Sequence, residues 1–215
     1  MESVRLTCQP NKEGKHLVFP YQVENAGSAD IFVMEALPSI DPASGKARAN
    51  EHGCTVQLGP GDNAILGKYL APLPTDRRIA LPVIPLARRV APGETISSRL
   101  MVPLPLAETS PYFGDLPLRQ YDQVDIKGAI FTIGYWIGGL DGLAALPVEY
   151  APELCQIVTR NTARSARTAT LRFPATGLQL FKRRDNFPRA AGAPPEAVVE
   201  DDAMATRVRS AARSR

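Results

Sequence analysis

Between Phe19 and Leu37 the alternation of apolar and polar positions starts, breaks and does not return. Phe19, Tyr21 and Val23 alternate with Pro20, Gln22 and Glu24, the period-2 pattern of a strand buried on one face. After the polar break Asn25-Ala26-Gly27-Ser28, the residues Ile31, Phe32, Val33 and Met34 follow one another without interruption. Such a run asks for burial on both faces, whereas a hairpin partner of the half-polar strand should alternate as that strand does. The break is therefore predicted to carry the chain from one sheet to another.

The same patterns mark further strands. Val4, Leu6 and Cys8 alternate with Arg5 and Thr7 ahead of a turn over Pro10–Gly14. Cys54, Val56 and Leu58 form a short strand ending at Gly59-Pro60-Gly61, and Ile96, Ser98, Leu100, Val102 and Leu104 a longer amphipathic one. Lys127–Gly139 carries β-branched and aromatic residues on both faces, which predicts a central strand with Trp136, the single tryptophan, in or beside the core. From Ala151 onward two or three more strands flank an Arg-rich bend. Pro38–Gly53 is rich in turn formers and reads as a long loop. Proline recurs through Ala71–Gly93, and because it has no N–H for a ladder this segment is assigned to edge strands or extended linkers. No stretch keeps a 3.6-residue period over three turns, and only Gly139–Leu146 has room for a turn of helix.

Together these segments predict an all-β chain, a two-sheet β-sandwich of about 7–9 strands with long loops. Val23-Glu24-Asn25-Ala26-Gly27 before an apolar strand, and Ala91-Pro92-Gly93-Glu94 before another, resemble recurrent features of bacterial immunoglobulin-like modules. The resemblance is one of fold, over roughly the first two-thirds of the chain, and implies no activity. It implies an immunoglobulin-like sandwich for residues 1–187.

With 215 residues and 44% hydrophobic content, the chain can bury one substantial core. After Phe187 small residues, prolines, the acidic Glu200-Asp201-Asp202 and a basic end take over, so 188–215 is predicted to be a disordered Arg-rich tail. A short helix over Asp202–Ala212 is compatible with partner binding. A net charge of +3 is too small to make nucleic acid the default partner. The N-terminus lacks the basic start and apolar stretch of a secretory signal, no run is apolar enough to span a bilayer, and three widely spaced cysteines suit free thiols. A cytoplasmic location is the expectation.

Candidate chemistry is sparse. His52, Cys54 and Cys8, with His16 nearby in sequence, are weak metal candidates, because no Cys-x-x-Cys or His-x-x-x-His pair accompanies them; small buried thiols and an exposed loop histidine explain them far better. Cys155 sits among Leu154, Ile157 and Val158, a setting for a core residue more than for a nucleophile. Asp122 and Asp125 fit a solvated face, and Pro82-Val83-Ile84-Pro85 reads as strand edge before proline-motif ligand. No glycine-rich phosphate loop is present, and no cofactor is expected. Positive charge gathers late, at Arg160, Arg164 and Arg167, at Arg183 and Arg184, and at Arg207, Arg209, Arg213 and Arg215; it suits phosphate backbones or other polyanions, but a solvated loop and a solubilising tail explain it better, since aromatics for base stacking are scarce there. The leading expectation is a non-catalytic module working by protein–protein contact in a larger assembly. The alternative is polyanion binding through the tail, including a capsid-like role.

Overall fold

The computed structural model describes residues 4–188 except 77 and 176. Among them the chain forms β1 (Val4–Cys8), β2 (Asn11–Glu13), β3 (His16–Asn25), β4 (Ile31–Ile40), β5 (Ala47–Asn50), β6 (Thr55–Gly59) and β7 (Asn63–Lys68). Next come β8 (Leu86–Val90), β9 (Thr95–Pro103), β10 (Leu106–Ala107), β11 (Tyr121–Asp125) and β12 (Gly128–Ile137). β13 (Ala144–Pro147), β14 (Cys155–Val158), a short helix α1 (Thr162–Ser165), β15 (Arg167–Pro174) and β16 (Gln179–Arg183) complete it.

These strands build several sheets. In the first, β3 pairs antiparallel with β9 on one edge and with β1 and β2 on the other. Its alternation is realised: Phe19, Tyr21 and Val23 are buried while Pro20 and Gln22 are exposed. A large sheet runs β13-β14-β8-β4-β12-β7-β6, with β15 beside β12 and β5 beside β4. A small third sheet has the order β10-β16-β11.

β12 is the hub of the large sheet. Along one edge it pairs with β15; along the other, Gly128–Ile133 pair in parallel with β7 and Tyr135–Ile137 antiparallel with β4. The sheet therefore forks, β4 and β7 being its two arms. At Gly67, with φ +150°, the parallel arm comes so close that a Cβ would overlap the carbonyl of Thr132. Only glycine fits there.

The first and the large sheet face each other across a common core. Phe19 stacks on Phe131 with centroids 5.0 Å apart, and Val23, Leu100, Ile31, Val33, Leu66 and Leu171 belong to the same cluster. The large sheet also buries part of its outer face: Phe32, Met34, Trp136 and Ile157 pack beneath Leu70, Ile84, Leu143 and Ala166. Burial on both faces accounts for the uninterrupted apolar runs of β4 and β12.

The predicted crossing is present, since β3 and β4 lie in different sheets. Asn25 fastens it. Its fully buried carboxamide donates to the carbonyls of Ala29 and Val90, both at 2.9 Å, and accepts from Gly27 N–H at 3.0 Å. Its backbone N–H donates to Glu94 O and its carbonyl accepts from Gly93 N–H, so the two sequence features that suggested a sandwich meet in space.

Several expectations need correction. The strands number sixteen among the described residues, not seven to nine, because many are short. Residues 38–53 hold the end of β4 and its hairpin partner β5. Within the proline-rich segment β8 lies between β4 and β14 rather than at an edge, its prolines standing outside the paired residues. Asn11–Glu13 is a strand, and 139–146 contains a turn and the start of β13 in place of helix. The expected tail, beyond Pro188, lies outside the described residues, as does the 202–212 helix. Among the described residues no helix is long and apolar enough to cross a membrane.

Candidate functional site

The most concentrated polar chemistry sits inside the fork. Tyr21 follows Phe19 on the inward phase of β3, Glu35 follows Ile31 and Val33 on β4, and Lys68 follows Ala64 and Leu66 on β7. Strand periodicity thus delivers all three to the interior. The Tyr21 hydroxyl donates to Glu35 Oε1 at 2.7 Å and accepts from Lys68 Nζ at 3.0 Å. Arg88 Nε lies 3.9 Å from Glu35 Oε2, and Lys68 stands 5.4 Å from the centroid of the Tyr21 ring.

Lys68 is only 3% exposed. Burial lowers its pKa, opposed first by Glu35 and then by Glu51 and Cys54. Burial and then the Glu35 carboxylate hold the Tyr21 hydroxyl protonated far above its ordinary range. A phenol bridging ammonium and carboxylate satisfies each charge by a hydrogen bond, the condition for keeping such groups out of water. Because Tyr21 belongs to the facing sheet while Glu35 and Lys68 come from opposite arms of the fork, the network clamps both arms to the sheet across the core. The sequence signal for it was a carboxylate inside the apolar run Ile31–Leu37.

The residues singled out in the sequence fare differently. Cys8 and Cys54 are half-buried against the core, and burial pushes both thiols up to about 12. His52 is exposed in the turn after β5. No group of three or more His, Cys, Asp and Glu among the described residues is placed to hold a metal ion, so His52, Cys54 and Cys8 are not gathered into one. Cys155 packs against the outer apolar layer, its thiol donating to Ala87 O at 3.2 Å and raised in pKa by burial.

Arg183, expected to face a polyanion, is 3% exposed. Its guanidinium donates to Asp185 through Nε and Nη2 at 3.0 and 2.8 Å and to Gly114 O through Nη1 at 2.8 Å, with Phe113, Tyr121 and Phe187 around it. Asp185 and Phe187, close by in the chain, are the sequence signal for an interior cation. Its backbone N–H donates to buried Glu108 at 2.7 Å, whose other oxygen accepts from Leu58 N–H at 3.0 Å, joining the third sheet to β6. Arg184 stays on the surface, paired with Asp122 at 2.8 Å. Arg207, Arg209, Arg213 and Arg215 lie outside the described residues.

The surface offers one further feature. β13 ends the large sheet, and all four of its residues are exposed. Its register with β14 puts Ala144 opposite Val158 and Leu146 opposite Gln156, on the face away from buried Ile157. Leu146 is 47% and Val158 45% exposed, and Leu140 and Tyr150 flank them. From Leu140 to Val158 the sequence has three acids, Asp141, Glu149 and Glu153, and no lysine or arginine. No protein-family model, curated protein or solved structure matches the chain. Fold and surface define a class, an all-β protein of several sheets.

Proposed function

We propose that this chain is a non-catalytic, immunoglobulin-like β-sandwich protein that works by protein–protein contact as a subunit of a larger assembly. The observation carrying the reading is the exposed apolar terminal strand β13 with its acidic surroundings. A terminal strand presents unpaired backbone groups, and sheets recruit partners by adding a strand there. The acids favour a partner whose strand is apolar with basic flanks. The crossing clipped by Asn25 and the two facing sheets support the immunoglobulin-like part of the reading.

Cross-linking mass spectrometry on the native assembly tests it. Cross-links should map to 140–158, and L146D/V158D should abolish them while leaving the melting temperature unchanged. Recovery of the chain alone from native lysate at every salt concentration, or cross-links indifferent to the variant, would sink the proposal.

A second reading is polyanion binding through the C-terminal arginines, favoured by Arg207, Arg209, Arg213 and Arg215 within nine residues that contain no acid. Exposed Arg184 would add to that surface. Deleting the residues after Phe187 should then abolish a low-salt mobility shift with nucleic acid, and an unchanged shift rules this reading out. Large homogeneous particles in light scattering would mark its capsid-like form.

A further inference from the structure

The outer face of the large sheet is covered by two loop regions, and between them lies a groove of about 300 Å³. Met34 and Gly134 form its floor, Leu70, Pro72 and Leu73 line one wall, and Ala166 and Arg167 the other. A side chain at Gly134 would run into the Met34 sulfur, so glycine at this point of β12 lets the floor pack flat. Among the described residues no acid lines the groove. Arg167 is exposed at its lip, and no described acid forms an ion pair with it.

A gap in the covering of an apolar sheet face attracts an apolar occupant, and a single cation at its edge selects the charge of that occupant. The volume stands at the lower end of small-molecule sites, which suits a short chain rather than a folded peptide. An arginine with a free planar fork accepts a carboxylate through two parallel hydrogen bonds. We propose that the groove binds a medium-chain alkyl carboxylate, its chain lying over Gly134 between Leu73 and Ala166 and its head on the Arg167 guanidinium. The arginine bend that drew attention in the sequence thus acquires a use independent of nucleic acid and of the β13 edge.

Decanoate titrated into the full chain below its micelle concentration tests this by amide NMR. The amides of Gly134, Ala166 and Thr168 should shift saturably. Trp136 emission should follow, because its indole N–H donates to Thr162 O at 3.4 Å, at the base of the Ala166 wall. R167E should weaken binding by about fivefold, the upper end of what loss of an exposed ion pair implies, and decanol should bind wild-type protein correspondingly less well. A166W, which fills the groove, should abolish binding, with thermal melts confirming that both variants fold. Absence of saturable shifts, shifts centred on another surface, or equal affinities of wild type and R167E for decanoate would overturn the proposal.

Discussion

Asn25 divides one carboxamide among three backbone groups that belong to the crossing and to the end of β8. Asn25→Ala should cost roughly 2–4 kcal/mol, because it leaves buried carbonyls without donors; urea denaturation measures it, and a loss below about 1 kcal/mol would show that water replaces the amide. In the core network the carboxylate balances a buried ammonium, so E35A should cost about 3–5 kcal/mol, while the apolar pair E35L/K68M should restore most of that stability. A double variant no more stable than E35A would mean that the charges do more than neutralise one another. The thiols give a pH dependence whose sign is fixed. Cys8 and Cys54 ionise near 9.0 when unfolded but near 12 when folded, so above pH 9 the unfolded chain has released protons that the folded chain still holds. Stability from these groups is complete below pH 9 and is lost as pH rises toward 12. Denaturation curves between pH 8 and 11 should slope downward, and C8A/C54A should flatten that slope; an unchanged slope would assign the loss to other groups such as Tyr21.

Strands with one clean face were legible from their spacing. β9 has a single buried side, β3 has one from Phe19 to Val23, and β12 announced its central place by carrying apolar residues on both. The crossing at Asn25 could be inferred because two adjoining segments followed different periodicities. β7 went unread: Asn63-Ala64-Ile65-Leu66-Gly67-Lys68 is short, holds a glycine and ends on a lysine, features that count against a strand when long-range pairing is unknown. For the same reason the meeting of Tyr21, Glu35 and Lys68 was hidden, since β12 is what brings the Glu35 and Lys68 strands side by side beneath Tyr21. The close approach at Gly67 makes this pairing unforgiving. G67A should prevent accumulation of folded protein, the added carbon meeting the Thr132 carbonyl at a φ that L-residues rarely adopt. A soluble G67A with a sharp thermal transition would show that the parallel arm can shift away.

The main core draws on all three sheets, including Leu106 and Leu180 of the small one, so no part of it can leave without opening the rest. Unfolding of the described region should therefore be a single transition, with Trp136 fluorescence and far-UV circular dichroism giving coincident curves. Separate midpoints would indicate that the outer layer around Trp136 melts on its own. The fork at β12 also has a bearing on biogenesis. β4 and β7 are complete once residue 68 has been made, yet the edges they share with β12 wait until residue 137. At the pace of translation that interval is on the order of several seconds, during which the nascent chain offers two apolar edges to any neighbour, a window that ribosome-associated chaperones are suited to cover.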